Sequence, residues 1–263
     1  MLGSTQALLL AAAASAAAYF GLQEDKLGYQ NTPIIIGTQW HVHDGLRPQP
    51  PVVSPGETVG QAPSDATILF DGTSLDAWSG GPWALDEEEG SMTVNGKGGI
   101  QTKESFGDCQ LHLEWRAPGY GDKAGPKGQG RGNSGVFFFG KYEIQILDCF
   151  ENQTYPDGMT SALYGQFPPM ANACREPGEW QTYDIMFKAP IFGDDGKLVY
   201  PAIASVFHNG VCVHHARTLY GATAHRKQAS YAVHKPTGPI SLQDHGNPIS
   251  FRNIWVRPLV AAK

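Results

Sequence analysis

The sequence is short of charge: Asp, Glu, Lys and Arg make up only 17% of its 263 residues, and 19 basic against 25 acidic groups leave a formal charge of −6. No basic surplus is available to neutralise a phosphate backbone or to hold an anionic bilayer, so nucleic acid is excluded from the expected partners. Cysteine is scarce too. Cys109, Cys149, Cys174 and Cys212 form no Cys-x-x-Cys, which argues against cysteine-held zinc. There is no internal repeat, no apolar run beyond the N-terminus long enough to span a membrane, and no convincing helical period after the first residues. Glycine and proline, by contrast, are plentiful at 32 and 19, which speaks against a helical bundle. Six Trp and ten Tyr suit a surface that stacks on flat neutral ligands such as sugar rings, and equally a β-core.

Met1 to Gln23 carry no charge, and Ala7 to Ala18 is an almost unbroken run of Ala and Leu ending in small residues. Residues 1–20 therefore read as a signal peptide, placing the protein in the periplasm or outside the cell, or on a membrane if the leader stays uncleaved. An exported chain permits disulfides, and four cysteines allow three pairings. Cys149 and Cys174 flank one loop-rich segment and are the preferred pair, with Cys109 and Cys212 as buried free thiols. Residues 21–66 are rich in Pro and Gly and read as an extended arm. Within it, alternation in Trp40-His41-Val42-His43-Asp44 would put both histidines on one face, but no third metal ligand lies near.

Residues 67–260 carry short alternating or apolar runs divided by turns, the pattern of an all-β sandwich or jelly roll. Cys109 to Trp115 alternates as a half-buried strand, Val136 to Phe139 is apolar on both faces, and Tyr142 to Leu147 follows the Gly140-Lys141 turn. Further strands are expected at 183–188, 202–208, 211–215, 240–243 and 250–256, with Asn209-Gly210 as a type I′ hairpin turn. The Gly-rich run Tyr120 to Gly132 lacks the order of a phosphate loop and reads as a surface loop.

Tyr142 to Asp148 holds the chemistry. Period 2 puts Glu143 and Gln145 on one face, and a single β-bulge would bring Asp148 to the same side. The spacing resembles the Glu-x-Asp-x-x-Glu strand of laminarinase-type glycoside hydrolases, with Gln in the middle and a shorter acid at the end. That alters the carboxylate separation on which retaining chemistry depends. Further along, His245 ends a strand pattern at a loop mouth, where it can carry protons near neutral pH. Arg252 could pair with a carboxylate or orient a sugar oxygen, and Asn133 could place an amide beside the Glu143 groove. His214 and His215 alternate faces and cannot share one site.

A longer set of motifs resembles the 3-keto-disaccharide hydrolase family: Leu69-Phe70-Asp71-Gly72, Asn133-Ser134-Gly135, Glu143-x-Gln145-x-x-Asp148, Tyr164-Gly165, Pro177-Gly178-Glu179-Trp180, Gln243-Asp244-His245-Gly246 and Phe251-Arg252-Asn253-Ile254-Trp255. The resemblance implies a concanavalin A-like sandwich acting on sugars already oxidised at C3 by a separate dehydrogenase. A C3 ketone acidifies the C2 proton, so a base can remove it, the C1 substituent can leave by β-elimination, and water can add to the enone. On that basis His245 or Asp148 is the base and Glu143 the leaving-group acid or a metal ligand. Gln145, Asn133 and Arg252 are donors to substrate oxygens, and Tyr164 and Trp180 are further substrate contacts. No cofactor is assigned; a divalent metal, if used, would take Glu143, Asp148 and His245 as ligands. The competing readings are a lectin-like binding module and a conventional laminarinase-like glycosidase.

Overall fold

The computed structural model describes residues 27–121, 123 and 125–259, and the expected leader lies outside them. The arm falls into two parts. Residues 27–52 form a unit of their own, closed by the bridges Gly28 to Asp44 and Ile34 to His41. The Asp44 carboxylate accepts from Leu46 N at 2.9 Å and Gln30 Nε2 at 2.6 Å, which holds its pKa below the usual carboxylate range. His43 sits at φ 61°, which breaks the alternation that would align it with His41, and His41 Nδ1 is bonded instead to the carbonyl of Thr32. Residues from Val53 onward belong to the second unit.

Among the described residues this second unit contains fifteen strands and two short 3₁₀ turns. The strands are β1 (Thr67–Phe70), β2 (Trp78–Gly80), β3 (Ala84–Asp86), β4 (Ser91–Thr93), β5 (Ile100–Thr102), β6 (Cys109–Arg116), β7 (Ser134–Phe138) and β8 (Tyr142–Ile146). They continue as β9 (Gln181–Lys188), β10 (Ile191–Phe192), β11 (Leu198–Tyr200), β12 (Ile203–His208), β13 (Val211–Thr218), β14 (Ile240–Leu242) and β15 (Ser250–Pro258). An eight-stranded antiparallel sheet runs β13-β12-β9-β6-β15-β4-β3, with β1 also paired to β15, and a five-stranded one runs β2-β5-β14-β7-β8. The architecture is the all-β sandwich that the alternating runs predict.

Alternation explains how the sheets meet. β6 buries Cys109, Leu111, Leu113 and Trp115, and β9 buries Tyr183, Ile185 and Phe187 beside them, with Leu113 opposite Tyr183 and Leu111 opposite Ile185. The five-stranded sheet answers with Val136, Phe138, Tyr142, Ile144 and Ile146. Phe138 and Phe187 stack across the interface with ring centroids 4.3 Å apart. Asn209 and Gly210 sit at φ 50° and 78°, the left-handed pair that a type I′ turn requires, and close the β12–β13 hairpin. The short strands β1 to β5 were not individually legible, because three or four residues carry no measurable period.

Truncating Phe187 to Ala should cost about 3–5 kcal/mol of unfolding free energy in urea titrations, since it empties the centre of the core. The same truncation of exposed Val199 should cost less than about 0.5 kcal/mol.

Candidate active site

Every residue of β8 is buried, but on two different sides. Tyr142, Ile144 and Ile146 enter the core, so Glu143 and Gln145 project to the opposite face of the five-stranded sheet. The free edge of β8 is closed by an irregular segment. Gln145 N donates to Ala162 O at 3.0 Å, Ser161 N to Gln145 O at 2.8 Å, and Tyr164 N to Glu143 O at 3.2 Å. Ser161 takes φ 65° to do this and is held by the Tyr183 hydroxyl at 2.8 Å from its N–H and by His214 Nε2 at 3.0 Å from its carbonyl. His214 thus supports the site from beneath while His215 stays exposed, as their opposite faces require.

Above Glu143 and Gln145 lies a cavity of about 380 Å³. Phe137 and Gln243 complete its floor, Gln129 and Asn133 stand on one side, and Tyr155, Tyr164, Thr223 and His225 on the other. His245 occupies the exposed rim. Glu143 is 6% exposed, and burial pushes its carboxyl up to about 8. Gly135 makes room for it: a Cβ there would come within 2.7 Å of Glu143 Oε1. Desolvation, with the bond to Tyr155 second, raises the Tyr164 phenol well above its ordinary range, so it remains a neutral donor. Its hydroxyl lies 2.9 Å from Tyr155 Oη and 3.0 Å from His225 Nδ1.

The amides are oriented by their partners. Gln145 Nε2 donates to Gln129 Oε1 and to Gly158 O, both at 3.2 Å, while Asn133 Nδ2 donates to Gln129 O at 2.8 Å. Gln145 therefore has its N–H groups engaged within the protein. Gln145 Oε1 and Gln243 Oε1 are both buried without a partner.

Glu143, Gln145, Asn133, Tyr164 and His245 are brought together; three other expected residues are not. Asp148 lies beyond the end of β8, where Oδ2 is 2.6 Å from Arg131 Nε and Oδ1 accepts from Phe150 N at 3.0 Å. At 1% exposure this carboxylate needs its cation, and no bulge returns it to the Glu143 side. Arg252 pairs with Glu114 at 2.7 Å on the eight-stranded sheet, and the guanidinium groups of Arg116 and Arg252 both pack on the Trp180 ring there, 4.5 and 4.1 Å from its centroid. The Glu143–Asp148–His245 metal set does not assemble, and among the described residues no three His, Cys, Asp or Glu side chains are grouped to hold an ion. Cys149 and Cys174 are neighbours, with Cys149 N 3.4 Å from Cys174 Sγ, and all four cysteines are free thiols. Sequence reasoning missed Gln129, Tyr155, Thr223 and His225: Gln129 lies in the short 3₁₀ turn Gly128–Gly130 and the others in loops, and none has a period that announces it locally.

Fold and cleft define an all-β sandwich with a polar pocket built around one buried carboxyl. Residues 65–257 match the 3-keto-alpha-glucoside-1,2-lyase-like domain family, and the chain belongs to it. A 3-keto-disaccharide hydrolase of Bacteroides thetaiotaomicron is 24% identical over 251 residues, covering 76% of this chain and 81% of that relative. A Parabacteroides distasonis crystal structure, of a protein for which glycosyl hydrolase activity is proposed, is 42% identical. It superposes with a TM-score of 0.77 over 86% of this chain and 100% of that one. A second structure from the same organism, at 18% identity and a TM-score of 0.54, covers 74% of this chain and 94% of its own and shares the fold.

The raised Glu143 pKa has a thermodynamic sign. The folded chain keeps a proton that the unfolded chain gives up near 4.5, so stability is full below that value and falls as pH rises towards 8. Thermal unfolding across this range should show the decline in the wild type and a flatter profile in Glu143→Gln.

Proposed function

We propose that the chain cleaves 3-keto-glycosides by elimination and hydration. The carrying observation is that Glu143 is the sole carboxyl on the cavity wall among the described residues and is held protonated at neutral pH by burial. Retaining and inverting glycosidases ordinarily need two carboxyl groups flanking the bond. An elimination next to a ketone needs one acid, one base and a donor to the carbonyl oxygen.

In this reading His245 removes the proton from C2 and the electron pair is delocalised onto the C3 oxygen as an enolate. The Tyr164 hydroxyl, coupled to Tyr155 and His225, donates to that oxygen. Collapse of the enolate forms the C1–C2 double bond and breaks the bond from C1 to its oxygen substituent, which takes the Glu143 proton. Water then adds at C1 as C2 is reprotonated, completing a net hydrolysis. Gln145 and Gln243 accept from ring hydroxyls through their unpaired carbonyl oxygens. Membership of the family and the name of the Bacteroides relative support the keto-sugar as substrate.

Recombinant protein should release the aglycone from 3-keto-glucosides and leave the unoxidised glucosides intact, with solvent deuterium appearing at C2 of the product. Glu143→Gln should lower turnover by about 10²–10⁴-fold with alkyl leaving groups and far less with a nitrophenolate, which needs no acid. Equal cleavage of oxidised and unoxidised substrates, or full activity in a Glu143→Gln/His245→Ala double variant, would sink the proposal.

A further inference from the structure

The two outer faces of the sandwich differ in kind. The eight-stranded sheet and its flanks carry charged side chains, several of them in ion pairs: Arg116 with Glu89, Arg252 with Glu114, Arg257 with Asp65. The five-stranded sheet presents hydroxyls, amides and an aromatic ring. Its strand register lines these up. Ser79 lies opposite Gln101, Gln101 opposite Ser241, Ser241 opposite Phe137, and Phe137 opposite Glu143. Directly opposed residues share a face, so these five form one row running across the strands and ending at the buried carboxyl. Strands about 4.8 Å apart put Ser79 about 14 Å from Phe137, a length that takes further sugar units.

A groove of about 470 Å³ follows this row, and Gly80 and Gly99 raise no side chains over it. It shares Phe137 and Gln243 with the cavity above Glu143, so the two adjoin. Its one ionisable side chain among the described residues, Asp244, is already committed: Oδ2 accepts from Gly98 N at 2.9 Å and Oδ1 from Gly246 N at 2.8 Å. At the junction, the buried Gln243 Oε1 has no partner.

We propose that this row is a saccharide-binding groove, which takes the sugar units of a neutral oligosaccharide substrate that extend beyond the ring held at Glu143. The inference rests on the elimination reading for the identity of that ring. Phe137 offers the face on which a pyranose stacks, while Ser241, Gln101 and Ser79 exchange hydrogen bonds with successive hydroxyls. The protein would then prefer a 3-keto-oligosaccharide to a 3-keto-glycoside with a small aglycone.

Two measurements test this and separate its failure from that of the reaction. In the first, kcat/KM for a 3-keto-trisaccharide is compared with that for methyl 3-keto-glucoside. The wild-type ratio should exceed tenfold, and Gln101→Ala/Ser241→Ala should lower it by about tenfold. In the second, an unoxidised neutral trisaccharide is titrated into the full chain and followed by NMR. Shifts at Gln101, Ser241 and Phe137 that vanish in the double variant support the groove even where no keto-sugar is cleaved. Cleavage of both substrates with equal kcat/KM, or saccharide shifts confined to the Glu143 cavity or absent, overturns it.

Discussion

A carboxyl taken out of water without a cation beside it is stable only as the neutral acid, because the charged form loses several kcal/mol of solvation. Glu143 is held in that condition, and much of the surrounding structure maintains it. Its strand is fixed by Tyr142, Ile144 and Ile146 in the core. Gly135 on the neighbouring strand leaves room for the side chain, and the segment Ser161–Tyr164 closes the edge that water would otherwise reach. The support reaches through the sandwich to Tyr183 and His214, which belong to the other sheet yet hold the backbone of Ser161.

The contrast with Asp148 shows how location decides chemistry. Both carboxyls are nearly inaccessible and lie five residues apart, but Asp148 has the Arg131 guanidinium and a backbone N–H, whereas no donor side chain among the described residues reaches the Glu143 carboxyl. One becomes an anchored anion that fixes the chain as it leaves β8. The other is an acid poised near neutral pH. The polar wall is held by its own bonds: Gln129 Oε1 and Gly158 O accept from the Gln145 amide N–H groups and fix its orientation.

The extent of the site follows from sheet geometry. Because opposed residues on neighbouring strands share a face, the position of Glu143 on β8 determines that Phe137, Ser241, Gln101 and Ser79 lie in line with it. A cavity alone would hold a single ring. A cavity at the end of a polar row can hold a chain.

The sequence by itself determined the alternation of the main strands, the type I′ turn at Asn209-Gly210, the family, and the pairing of Glu143 with Gln145, since each is written in neighbouring residues at period 2 or in a local motif. It determined too little for Asp148, Arg252 and Trp180. Whether a strand bulges or ends, and which sheet an arginine faces, depends on partners such as Arg131, Glu114 and Arg116 that are distant in the chain. Only the tertiary structure brought Gln129, Tyr155, Thr223 and His225, which lie outside the strands, to the cavity and closed β8 with an irregular edge. Only it, too, withdrew water from Glu143. Desolvation is a property of everything packed around a group, and no spacing of residues along the chain encodes it locally.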